Sequence, residues 1–128
     1  MICKFHDMIL LRLEPDMDLM AEMEAIDVEG AVVSGIGSLH GVRIRTADES
    51  ILKLEGPLEI ISLQGTLTGD GVHIHIAVAD SSGRVFGGHL RGCCRVRTTV
   101  ELAVIPYRGK LRRVLDDRTG YSELVVLD

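Results

Sequence analysis

The segment His73–Gly92, HIHIAVADSSGRVFGGHLRG, alternates along its first half, breaks at a short polar turn and resumes through Gly87-Gly88-His89. Strict alternation is the mark of a half-buried strand. Ser81-Ser82-Gly83 fits a three-residue hairpin loop, a type I turn followed by a glycine in the left-handed region. That loop sets Asp80 opposite Arg84, so Ala77 faces Gly87 and His75 faces His89. Opposed residues on an antiparallel pair share a face, and His73, two residues from His75, shares it too. Three of the five histidines in the chain therefore converge. A divalent ion about 2.0–2.1 Å from each ring nitrogen could be held by all three. A slip of one residue would send His89 to the other face, so this reading depends on the loop. The alternative for the trio is a set of histidines hydrogen-bonded within a subunit interface, without metal.

Outward from the hairpin, most of the chain reads as β-structure. Met8-Ile9-Leu10-Leu11 suggests a buried strand. After Pro15, Asp16 and Asp18 offer caps for a helix carrying Leu19, Met20, Met23 and Ile26, with Gly30 closing it. Ala31-Val32-Val33 leads into Gly35-Ile36-Gly37, which lacks the continuation of a phosphate-binding loop. These glycines are expected to shape a bend between strands, with Val42–Arg45 as the next strand. Ile51–Leu54 and Leu58–Thr68 read as two strands separated by a turn at Gly56-Pro57. Val96, Thr98, Val100, Leu102 and Val104 fall on one face of a long strand, and a final turn lies at Thr119-Gly120. The expectation is a single domain over residues 1–128 of α+β class: a mainly antiparallel sheet of about eight strands packed around one main α-helix. A sheet with a single helix leaves apolar surface uncovered, which points to an oligomer.

Composition narrows the function classes. Aromatics make up 3% of the chain and Trp is absent, which disfavours base-stacking binders of single strands. The net charge of −5 disfavours phosphate-driven binding. Arg108, Lys110, Arg112 and Arg113 form a short basic cluster, read as a solvated surface because Asp116 and Asp117 follow. Cys3, Cys93 and Cys94 are odd in number and show no CxxC spacing, so buried free thiols in a reducing compartment are expected. No secretory signal or membrane-spanning run is visible, and a cytoplasmic location is expected. Three His ligands with an open position also fit a zinc-dependent enzyme acting on a small substrate, for which Glu59 and Glu101 are candidate bases by residue type.

Several blocks together resemble the PPC (plants and prokaryotes conserved) domain in its single-domain prokaryotic form. They are Ser34-Gly35-Ile36-Gly37-Ser38-Leu39, the run from Gly56-Pro57-Leu58-Glu59-Ile60 to Gly65, His73-Ile74-His75, the run from Gly83 to Gly87-Gly88-His89-Leu90, Thr99-Val100-Glu101, and Asp117-Arg118-Thr119-Gly120-Tyr121. The resemblance implies antiparallel strands around a main helix and assembly as a homotrimer. It also implies a metal site, zinc by preference, at His73, His75 and His89. Plant relatives carry the domain after an AT-hook that binds DNA, and prokaryotic members are described as DNA-binding by that analogy. This chain has no Arg-Gly-Arg-Pro hook, so a DNA-associated or regulatory role rests on the resemblance and not on its own charge. His40 carries no assigned role.

Overall fold

The computed structural model describes residues 7–128. The chain runs β1 (Ile9–Leu13), α1 (Leu19–Ala25), β2 (Gly30–Arg45), β3 (Ile51–Thr68), β4 (Gly71–Ala79), β5 (Val85–Gly92), β6 (Val96–Pro106), β7 (Lys110–Asp116) and β8 (Tyr121–Leu127). Six strands form one antiparallel sheet in the order β1-β6-β2-β3-β4-β5, and β7 and β8 form a second, two-stranded sheet. Among the described residues, eight strands and one short helix make the fold α+β and mostly antiparallel.

The spine is β2. Its first half pairs with β6 on one side and β3 on the other, while Arg43–Arg45 exchanges β6 for β5. This second pairing brings β5 back against β2, so β2, β3, β4 and β5 close on themselves at one end. Alternation puts Ile74, Ile76 and Val78 of β4 into the core, where they meet Leu39, Ile44, Leu58, Leu63, Leu90 and Leu102. The odd-numbered residues of β4 are thereby turned to the opposite face.

Helix α1 has only seven residues. Asp18 caps it, accepting a hydrogen bond from the Ala21 N–H, and Leu19 and Met23 are its buried side chains. The helix ends at Ala25 with Ile26 already extended, so Gly30 does not close it and instead begins β2. The Ile26 N–H bonds back to the Met23 carbonyl, which ends the last turn without a glycine.

Two expected breaks are not breaks. Gly35 and Gly37 lie inside β2 and do not form a bend, and Gly56-Pro57 lies inside β3 and is not a turn. The β2–β3 register shifts between Leu39 and Gly41, opposite the cis Gly56-Pro57 bond, so irregular pairing absorbs the residues that suggested turns. β1 is an edge strand with only Leu13 buried, and Leu10 is 72% exposed, against the expectation of a buried strand. Val96, Val100, Leu102 and Val104 are buried as expected. Thr98 is exposed and shares a 2.6 Å hydrogen bond with Ser38. Cys94 is buried, its thiol pushed up to about 12 by burial, but Cys93 is exposed. Cys3 lies outside the described residues. No helix among the described residues is long and apolar enough to cross a membrane.

Close packing ties the sheet to the histidine strand. A Cβ on Gly65 would lie 2.0 Å from the His73 carbonyl oxygen. Gly65→Ala must therefore push β4 away from β3 at His73, and a destabilisation on the order of 1–3 kcal/mol is expected. Urea denaturation measures it. A midpoint equal to that of the parent chain would contradict this packing.

Candidate metal centre

The β4–β5 hairpin forms as its loop chemistry dictates. The Asp80 N–H donates to the Arg84 carbonyl and the Gly83 N–H to the Asp80 carbonyl, each at 2.9 Å. Gly83 has φ +80°, a conformation open to glycine at little cost. Asp80 Oδ1 accepts from the Ser82 and Arg84 N–H groups, and Oδ2 accepts from Arg84 Nε. The resulting register sets His75 opposite His89 and Ala77 opposite Gly87.

His73, His75 and His89 come together as the sequence predicts. Each offers one ring nitrogen, and the three atoms lie within 4.8 Å of one another. His73 Nε2 and His75 Nε2 are 3.2 Å apart, a distance at which a proton or a cation must stand between two imidazole nitrogens. Ring centroids are separated by 5.0, 5.0 and 5.9 Å. Nδ1 of His89 is buried without a hydrogen-bond partner. The donors lie within 4.8 Å of one another, against the spacing of roughly 3.4 Å that bonds of about 2.1 Å require in a tetrahedral set. The donor set and the unpaired buried nitrogen fit a borderline-soft divalent ion.

The protonation states suit ligation. Burial lowers the pKa of His73, with Arg113 and His75 adding to the effect. Burial also brings His89 down to about 4, helped by the charges of His73 and Arg45. Both rings are therefore neutral near pH 7, the form that binds metal.

One wall of the site was not anticipated. The histidines open into a cleft of about 620 Å³ lined also by Arg45, Val72, Arg113, Tyr121 and Glu123. The β7–β8 sheet supplies three of these and is held to the main sheet by two carboxylates. Glu29 accepts from the Gly69 and Leu111 N–H groups, and Asp70 accepts from Arg112 Nε at 2.7 Å and the Arg113 N–H at 3.0 Å. These hydrogen bonds hold both carboxyls below the usual range. The basic cluster is therefore not wholly a solvated surface: Arg112 is tied to Asp70, and Arg113 turns to the cleft. Glu59 and Glu101 do not line the cleft. Glu59 lies opposite Ala79, and Glu101 lies in β6 opposite Arg12. The acid that does line it is Glu123.

The fold is a mainly antiparallel α+β domain of small size, with three clustered histidines opening into a cleft on one face. The model of the Plants and Prokaryotes Conserved (PCC) domain matches residues 3–107, and the chain belongs to that family. It is 43% identical over 123 residues to the bifunctional protein GlmU of a Synechococcus strain, covering 89% of this chain and 20% of that protein. The chain thus spans about a fifth of the length of the curated relatives it matches. A hypothetical protein from Salmonella cholerae-suis shares 34% identity and a TM-score of 0.88, covering 94% of this chain and 93% of that one. A metal-containing protein from Archaeoglobus fulgidus shares 29% identity and a TM-score of 0.79, covering 98% of this chain and 96% of that one.

The lowered His89 pKa has a measurable consequence. Between its ordinary value of 6.5 and about 4, the unfolded chain binds a proton that the folded chain excludes. Stability present above pH 6.5 is therefore lost progressively as pH falls towards 4. Urea unfolding of chelator-treated protein across this range should show that loss, and His89→Gln should flatten it. An identical slope in the variant would contradict the burial of a neutral His89.

Proposed function

We propose that this chain is a zinc-binding, homotrimeric module of the family, a single unit over residues 1–128, with a DNA-associated or regulatory role in the cytoplasm. The observation that carries the metal reading is the trio itself: three ring nitrogens within 4.8 Å, two of them 3.2 Å apart, on rigid neighbouring strands. His73, His75 and His89 would hold the ion, and zinc supplies Lewis acidity at whatever position the protein leaves open. The Archaeoglobus relative, described as metal-containing, supports this reading.

Self-association is supported by the outer face of β1, β6 and β2. Leu10, Ile36 and Ile105 are 72%, 53% and 47% exposed there, apolar side chains that a partner subunit would cover. A DNA-associated role comes from the family resemblance, while the net charge of −5 argues that contact with DNA is made through a partner. One observation favours the second reading, a zinc-dependent enzyme on a small substrate. The Glu123 carboxylate faces the same cleft as the histidines and is of the residue type that accepts a proton in such sites.

Metal analysis of untagged protein should find zinc close to one per chain. His75→Ala and His89→Ala each remove a direct ligand, so affinity should fall by more than the roughly 10–100-fold that loss of an outer-shell partner costs. Unchanged zinc content in both variants would end the assignment. Light scattering should return three times the chain mass, and a monomer mass would refute the assembly.

A further inference from the structure

Arg45 of β2 and Arg113 of β7 enter the histidine cleft from different sheets. Neither takes part in an ion pair among the described residues, whereas Arg112, next in sequence to Arg113, is held by Asp70. Neutral groups position both instead. The Arg45 guanidinium lies 5.7 Å from the centre of the Tyr121 ring, and Arg113 Nη2 donates to Thr66 Oγ1 at 2.5 Å. Each guanidinium has five N–H donors, so most of these remain for another acceptor. The wall itself holds two guanidiniums and two acids, but Asp70 is engaged by Arg112 from outside the lining, so Glu123 is the acid left to face Arg45 and Arg113.

Like charges converging on a half-buried cleft are costly unless a ligand neutralises them. Register places Arg45 directly opposite His89, so the guanidinium and the histidine site adjoin. The cleft, at about 620 Å³, lies within the range of small-molecule sites, roughly 300–1,000 Å³, and Val72 and Tyr121 give it an apolar portion.

We propose that this cleft binds a small organic anion, with a carboxylate or phosphate headgroup, held by Arg45 and Arg113 beside the three histidines. The anion site builds on the metal reading, because an ion on the histidines adds positive charge on the same side. The planar forks of two arginines suit an oxyanion and give nothing to a neutral analogue.

The test is calorimetric titration of the full chain, zinc-loaded and chelator-treated, with succinate and with glycerol phosphate. Succinamide and glycerol serve as neutral controls. At least one anion should bind saturably and the controls should not, and the anion that binds more tightly identifies the headgroup. Arg45→Gln and Arg113→Gln should each weaken binding roughly tenfold or more, with Arg→Lys at the same positions recovering part of the loss. The proposal is overturned by affinities unchanged in both Gln variants, by equal binding of the neutral controls, or by no saturable binding of either anion. Arginine-dependent binding in protein that takes up no zinc upholds the anion site and refutes the metal reading. Zinc uptake without arginine-dependent binding does the reverse.

Discussion

The candidate site depends on the register of one hairpin, and Asp80 fixes that register. Its backbone closes the loop through Arg84 and Gly83, and its carboxylate takes two more backbone N–H groups and the Arg84 side chain. No other pairing of β4 and β5 keeps these bonds. Since side chains alternate, a shift by one residue would bury His89 and expose Leu90, now fully buried. The core therefore opposes the slip as strongly as the loop does. Local hydrogen bonding and hydrophobic burial agree on one register, and that agreement makes the histidine cluster a fixed feature of the fold.

Around this hairpin the long strands serve as a frame. β2 binds β5 near its end, so Arg45 stands against His89, while β3 holds β4 at the distance set by Gly65. The second sheet adds the other wall. It attaches through the carboxylates of Glu29 and Asp70, which accept four hydrogen bonds from Gly69, Leu111, Arg112 and Arg113. An ionised carboxylate bonded to backbone N–H groups is a strong and directional anchor. Asp70 thus has two consequences. It holds β7 in place, and by engaging Arg112 it leaves Arg113 as the cation that faces the histidines.

The two halves of the site differ in how far sequence revealed them. The histidine trio could be read because its information is local: a three-residue loop, an alternation of period two and a Gly-Gly-His within twenty residues. The predominance of β-structure was visible for the same reason, and so was Asp18 as a cap of the helix, but β2 and β3 each read as two strands. Where one strand ended and another began was harder to see. Gly37 and Gly56-Pro57 carry the composition of turns, but long-range pairing with neighbours on both sides keeps the chain extended through them. Arg45, Arg113 and Glu123 belong to three separate strands and meet only after the second sheet docks, so no spacing announces them. Glu59 and Glu101 had the right residue type but lie outside the cleft.

These differences bear on what the cleft can do. Burial keeps His73 and His89 neutral, and the neighbouring guanidiniums push the same way, so the cluster resists protonation while presenting lone pairs. The same cleft holds the guanidiniums of Arg45 and Arg113 beside these neutral rings. On the proposed metal reading, an ion would take the same imidazole lone pairs as a proton, and it would do so against repulsion from Arg45 and Arg113. An anion in the same cleft removes that repulsion, so metal and anion should favour each other's binding. By linkage that effect is reciprocal: whatever factor the anion contributes to zinc affinity, zinc must contribute to anion affinity. Glu123, the single acid in the wall without a partner among the described ion pairs, moderates the repulsion without abolishing it. On that reading, the arginines that would weaken a bare metal site are the groups through which a bound anion would strengthen it.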